Sequence, residues 1–185
     1  MERSKLLTQL SLKNGLVIAI VFVVISLAMH LIDPMMAYTN YWISFVLLIV
    51  FVSLLVYAGS TIRKEAGGYW TFGEAFKSFL VMSLIICLIS TLYNVLLMGV
   101  IDPGLPERAG AAIDEKTSEF MLSMGMTEDQ VEQEIAKASG ADRLRVTVKN
   151  TITSFGVMLA IYGVLSLILA AILKKQPPVF LQTED

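Results

Sequence analysis

Four long runs of the sequence contain no Asp, Glu, Lys or Arg. They cover residues 14–32, 34–62, 78–101 and 150–173. Roughly 20 apolar residues cross a bilayer once, because a helix rises about 1.5 Å per residue and the hydrocarbon core is about 30 Å thick. Pro34 and a polar turn at residues 38–40 delay the start of the second span. The pattern predicts spans near residues 15–32, 42–62, 78–101 and 151–173.

The predicted spans must be helices. Lipid offers no partners for open backbone amides, and four segments of this length cannot close a barrel. The composition, 56% hydrophobic and 16% charged, is typical of membrane proteins. The basic residues ahead of the first span suit a signal peptide, but its apolar core is too long and no small-residue cleavage site follows. The sequence predicts an all-α membrane protein, a helical bundle forming one domain over residues 1–185.

The basic residues predict how the chain is oriented. Short flanks rich in Lys and Arg are retained in the cytoplasm. Such flanks precede the first span, follow the second and follow the fourth, at Arg3, Lys5, Lys13, Arg63, Lys64, Lys77, Lys174 and Lys175. The first connection has none. Both termini are therefore expected in the cytoplasm, and the long connection at residues 102–149, with ten acidic and six basic residues, is expected outside.

The long connection contains two helix signals. Pro106 suits the first turn of a helix. A helical spacing of less polar residues follows at Ile113, Thr117, Phe120 and Met124. A break is expected at Gly125, and Thr127 with Gln130 forms a capping box for a second helix that runs to about Ser139 and stops at Gly140. Its apolar stripe is Val131, Ile135 and Ala138. We expect an extracytoplasmic helical hairpin between spans three and four, which packs on itself, the membrane surface or a partner.

The connection between spans two and three has local signals of its own. The glycines at residues 67–68 allow the positive backbone angles that end a helix. Thr71 and Glu74 form a capping box, so the third helix is expected to start at Phe72. The pair Tyr69-Trp70 suits the headgroup layer of a bilayer.

The same connection carries a resemblance to a known family. Residues 68–76 read Gly-Tyr-Trp-Thr-Phe-Gly-Glu-Ala-Phe. This motif, between the second and third of four spans, resembles the bacterial family called domain of unknown function 4199, and the resemblance covers essentially the whole chain. It implies an inner-membrane protein of a Gram-negative bacterium, without an assigned activity.

Two segments of the chain are alike. Residues 29–34 close span one, residues 98–103 close span three, and both segments end in Ile-Asp-Pro. One hypothesis is that spans one and two form a hairpin that spans three and four repeat, as in some transporters. The other is that Asp-Pro is simply a common helix stop.

Chemistry-bearing residues are scarce. No span has an acid or base in its interior, which argues against a proton-coupled pump. The polar candidates are Asn94, His30, Asp33 and Asp102. Hydrogen bonding at the interface is favoured for His30, and hydrogen bonding between helices for Asn94. The sequence indicates no catalytic, cofactor-binding or metal-ligating set, and its single cysteine, Cys87, is expected to be buried.

These observations favour a non-enzymatic scaffold or accessory subunit of the cell envelope. Its expected partners are the lipid bilayer and an envelope protein that meets the outer loop. A small-residue face at Gly156, Ala160 and Gly163 would also permit a homo-oligomer. Nucleic acid is not expected, because there is no basic, aromatic-laced surface. The alternative is a small transporter or lipid-handling protein built from two duplicated helical hairpins.

Overall fold

The computed structural model describes residues 2–137 and 139–176, and every regular element of these residues is a helix. The helices are α1 (Glu2–Ile32), α2 (Met36–Thr39), α3 (Tyr41–Glu65), α4 (Phe72–Leu96, continued by one π-helical turn over Leu97–Ile101), α5 (Leu105–Ser123), α6 (Glu128–Lys137), α7 (Gly140–Leu144) and α8 (Val148–Leu173).

Helices α1, α3, α4 with its π-helical turn, and α8 are long and apolar enough to cross a membrane. Many of their apolar side chains are exposed, including Val24 (59%), Trp42 (78%) and Ile172 (69%). A soluble protein rarely exposes such large apolar areas. The four helices therefore indicate a multi-pass membrane protein. Each contains one predicted span, but α1 begins at Glu2, well before the span predicted to start at Gly15.

The helices group into two compact units. The first contains the described residues up to Phe22, residues 48–90, and the described residues from Phe155 on. Its core joins α1, α3, α4 and α8: the ring of Phe51 lies 5.3 Å from that of Phe22 and 5.2 Å from that of Tyr162. Ser83 and Ser166 pair at 3.3 Å within this core, so α4 and α8 share a buried polar contact.

In the first unit, α1 and α4 run parallel and approach closely at Gly15. A Cβ atom at this position would lie 3.0 Å from Met82 Cα and 3.1 Å from Met82 O. The helix backbones meet here because glycine has no side chain, as is common where membrane helices pack.

The local signals before α4 are confirmed. Gly67 and Gly68 have positive φ angles of 95° and 85°. The Thr71 amide donates to Glu74 Oε2 at 3.0 Å, and the Glu74 amide donates to Thr71 Oγ1 at 3.3 Å. This reciprocal pair starts α4 at Phe72, as predicted.

The prediction for Trp70 was wrong. Its side chain is fully buried at 0% exposure, and its ring lies 5.5 Å from that of Phe79 in the core of the first unit. The physical reason is contact with residues that are not its neighbours in sequence: the ring packs in the core that includes Phe79, and the Trp70 backbone exchanges two hydrogen bonds with Lys175, after α8. Trp70 therefore packs as a core residue.

The second unit contains residues 23–47 and 91–154. The break predicted at Gly125 is confirmed, with a φ of 89°. The capping box that starts α6 is confirmed as well: the Thr127 amide donates to Gln130 Oε1 at 3.1 Å, and the Gln130 amide donates to Thr127 Oγ1 at 3.4 Å.

The predicted end of the second helix near Ser139 is confirmed to within about two residues, because α6 ends at Lys137. The sequence did not predict the next helix, α7, which begins at Gly140. The described residues of the long connection thus form three helices where two were predicted, and α7 packs against α5. A Cβ on Gly140 would lie 2.6 Å from Gly110 O. Asp114 on α5 accepts hydrogen bonds from the Gly140 amide at 2.8 Å and from Ser139 Oγ at 3.3 Å. This carboxylate supplies the missing cap of α7 from another helix. Ala138 of the predicted stripe lies outside the described residues.

Candidate functional site

A network around Arg3 ties the start of α1 to the connection before α4. Its Nε donates to Glu74 Oε1 at 2.8 Å. Its two terminal nitrogens donate to Ala66 O and Tyr69 O, each at 2.7 Å. A planar guanidinium can make several such bonds at once because its donors are fixed in one fork. In the sequence, Arg3 served only as one of the positive charges that predict the orientation. In the structure it also links α1 to the connection before α4.

The chain after α8 joins the same end of the first unit. The Trp70 amide donates to Lys175 O at 2.7 Å, and the Lys175 amide donates to Trp70 O at 2.8 Å. Arg63 Nη1 also donates to Leu173 O at 3.1 Å, which satisfies one of the open carbonyls at the end of α8. Three helix ends are thus joined here by direct hydrogen bonds.

A cavity of about 270 Å³ opens between α1 and α4 at this end of the first unit. We call it the basic notch. Two cationic side chains and four side-chain hydroxyls line it: Arg3, Lys77, Ser4, Thr8, Ser11 and Ser78. Lys77 donates to Ser4 Oγ at 3.5 Å, and no carboxylate of the described residues pairs with it. The notch therefore has a cation available for a ligand.

Sequence reasoning missed the basic notch, although a signal for its α1 wall was present. Ser4, Thr8 and Ser11 recur at spacings of four and three residues, which places them along one side of a helix. That signal was hidden because the first span was predicted to start at Gly15. The α4 wall could not be inferred, since it depends on the parallel packing of two helices distant in sequence.

The structure brings together two of the four predicted polar candidates, both in the second unit. His30 Nε2 lies 3.7 Å from Asp102 Oδ2, and Arg108 also pairs with that oxygen. Asp33 instead accepts a hydrogen bond from the Met35 amide at 2.8 Å, which is a local turn contact. Asn94 is exposed on α4. The four residues do not converge on one site.

The second unit also has an open groove of about 510 Å³ between α5 and α6. We call it the acidic groove. Its apolar side chains are Leu122, Val131 and Ile135, and its rim includes Glu128 and Glu132. Val131 is buried at 5% exposure, whereas Leu122 remains 42% exposed. The surface thus combines an apolar floor with negative charge.

The small-residue face predicted on α8 makes no close helix contact within the described chain. A Cβ atom on Gly156 or on Gly163 would meet no atom within 4 Å. The face is open in the single chain, so its proposed use in a homo-oligomer stays a prediction.

Comparison with known proteins identifies the family of this chain. The family model described as Protein of unknown function (DUF4199) matches residues 13–175. The chain belongs to this family. The DUF4199 match takes in Lys77 and Ser78 of the basic notch and the whole acidic groove, and it begins after Arg3. No curated protein and no solved structure matches this DUF4199 chain.

Proposed function

We propose that this DUF4199 protein is a non-enzymatic scaffold or accessory subunit of the bacterial inner membrane. Four spans anchor it, both termini lie in the cytoplasm, and α5–α7 lie outside, where the acidic groove receives a segment of an envelope protein. The observation that carries the proposal is the acidic groove, an open apolar surface on helices that have a defined packing of their own.

The charge distribution supports this orientation. Positive residues lie at the end of the first unit where the end of α3, the start of α4 and the end of α8 are joined. They are Arg63, Lys64, Lys77, Lys174 and Lys175. Short flanks of this kind are retained in the cytoplasm during insertion. The helices of the second unit that carry the groove, α5 and α6, contain eight of the 16 acidic residues of the chain, which is compatible with translocation.

The chemistry of the groove indicates the kind of partner. Its apolar floor suits one face of an amphipathic helix, because such helices bind in grooves through residues spaced three and four apart. Glu128 and Glu132 on the rim favour basic residues beside that face. The partner we propose is therefore a basic amphipathic helical segment of an envelope protein.

Cysteine labelling tests the orientation. We expect a membrane-impermeant maleimide to label Ser123→Cys in intact spheroplasts and to label Lys64→Cys only after lysis, both in a Cys87→Ser background. Both positions are exposed, and the native cysteine is buried. Labelling of Lys64→Cys before lysis, with Ser123→Cys protected, would contradict the proposed topology.

Site-specific photo-crosslinking tests the partner. A crosslinker at Leu122 in the groove should give one discrete protein adduct, whereas the same group at exposed Lys149, outside the groove, should not. Glu132→Lys should lower the adduct yield by about tenfold, because opposing like charges cost several kcal/mol at an interface. Glu115→Lys, which alters charge outside the groove lining, is the matched control. Equal yields from the two charge variants would reject the proposed recognition.

The alternative of a small transporter gains little from the structure. A polar path near Asn94 would favour it, yet this side chain is exposed and does not line either the basic notch or the acidic groove.

A further inference from the structure

The basic notch carries a net positive charge that its own residues do not cancel. The one carboxylate in its lining, Glu74, is paired with Arg3 at 2.8 Å. Lys77 is the remaining cation, and its hydrogen bond to Ser4 Oγ is long at 3.5 Å. A lysine ammonium has three N–H donors, so donors remain for an anion in the notch.

Arg3 is the second basic residue in the lining of the notch. Its hydrogen bonds to Glu74, Ala66 and Tyr69 use four of the five guanidinium N–H groups. These bonds also fix the guanidinium, so it meets an anion without further loss of side-chain freedom. Lys77 on α4 is therefore the cation with free donors, and the guanidinium of Arg3 on α1, whose charge Glu74 balances, lies in the same lining.

Two of the three hydroxyls on the α1 wall donate their protons to the helix backbone. Thr8 Oγ1 donates to Ser4 O at 2.9 Å, and Ser11 Oγ donates to Leu7 O at 2.7 Å. Each of these two oxygens keeps lone pairs, which can accept from the hydroxyl groups that a glycerol phosphate headgroup bears. The cations and the acceptors together match a phosphate that carries a polar substituent.

The helix surfaces beyond the notch are apolar. Leu7 and Val81 line it, and the contact between Gly15 and Met82 brings α1 and α4 together one turn beyond Ser11 and Ser78. Leu12 lies on α1 one turn beyond Thr8, and Leu84 lies on α4 one turn beyond Val81. Both side chains are about 40% exposed. A ligand with a phosphate headgroup and acyl chains would match both the polar notch and the apolar helix surfaces beyond it.

We infer that the basic notch binds the phosphate headgroup of an anionic phospholipid, with its acyl chains along the exposed leucines of α1 and α4. Basic pockets between membrane helices bind anionic headgroups on the cytoplasmic side. The site goes beyond the proposed scaffold function, since it lies in the first unit and needs no partner protein. Phosphatidylglycerol fits the net charge, whereas the choline group of phosphatidylcholine places a second cation beside Lys77.

Native mass spectrometry of the full chain in detergent measures the binding. Wild type should retain dioleoyl phosphatidylglycerol about tenfold more tightly than dioleoyl phosphatidylcholine. Lys77→Gln should weaken phosphatidylglycerol binding by about tenfold, because a hydrogen bond to a charged group is lost. The matched control, Lys64→Gln, removes the same charge from an exposed lysine outside the notch and should change it by less than about twofold. Equal losses in both variants would overturn the site.

A second variant and a competitor separate the remaining explanations. Thr8→Phe fills the notch without changing its charge and should lower phosphatidylglycerol binding as Lys77→Gln does. Undiminished binding to Thr8→Phe would contradict the notch as the site. Glycerol 3-phosphate in large excess should leave the lipid bound. If it displaced the lipid, a soluble phosphoester would be the ligand instead. If phosphatidylcholine were retained as tightly as phosphatidylglycerol, the anionic headgroup would not be what the notch recognises.

Discussion

Gly110→Val is expected to release α7 from α5 and to lower the stability of the second unit by about 3 kcal/mol. A Cβ atom at residue 110 would lie 2.7 Å from Gly140 C and would also overlap Ala141 N and Ala141 Cα. These are backbone atoms, so a side-chain rotation cannot relieve the overlap. Release of α7 should expose the peptide bonds after Arg143 and Arg145 to trypsin, and limited proteolysis in detergent measures this directly.

Gly99→Ala is the matched control in the same unit. A Cβ atom there would lie 3.9 Å from Val146 Cγ1, an ordinary van der Waals distance. We expect tryptic cleavage of this variant at the rate of wild type. If Gly110→Val were as resistant as Gly99→Ala, the direct backbone packing of α5 and α7 would be refuted.

Trp70→Ala should destabilise the first unit by about 3–5 kcal/mol, the usual cost of deleting a buried tryptophan. The side chain is fully buried, and its removal leaves a cavity beside Phe79 that the backbone bridge to Lys175 prevents from collapsing. Thermal unfolding of the purified chain in detergent should therefore give a Tm lower by about 10 °C.

The chain offers its own control for this experiment. Trp42 is the other tryptophan, and it is 78% exposed at the start of α3. Trp42→Ala removes the same atoms from a surface position, so its Tm in detergent should stay within about 2 °C of wild type. Equal shifts in the two variants would contradict the burial of Trp70.

The sequence predicted those features that depend on neighbouring residues. The two capping boxes, the positive backbone angles at residues 67–68 and the break at Gly125 were predicted correctly, because each follows from residues within a few positions. The four apolar helices were also predictable, since length and hydropathy alone determine whether a helix can span a membrane.

The features that the sequence did not predict depend on distant residues. The helix α7 was not predicted, because the amide of its first residue, Gly140, is capped by Asp114 from another helix. Trp70 is of a residue type common at membrane interfaces, but the tertiary packing of the first unit buries it and joins its backbone to Lys175. The basic notch likewise needs the parallel packing of α1 on α4, and neither wall contains information about the register of the other.

The network around Arg3 has a consequence for the order in which the first unit is assembled during synthesis. Arg3 leaves the ribosome before α3 and before the residues at 66–74 that accept its hydrogen bonds. Lys175, which pairs with the backbone of Trp70, follows α8. The guanidinium therefore lacks these partners until two long helices are complete, and the backbone bridge between Trp70 and Lys175 forms only after the fourth has been made.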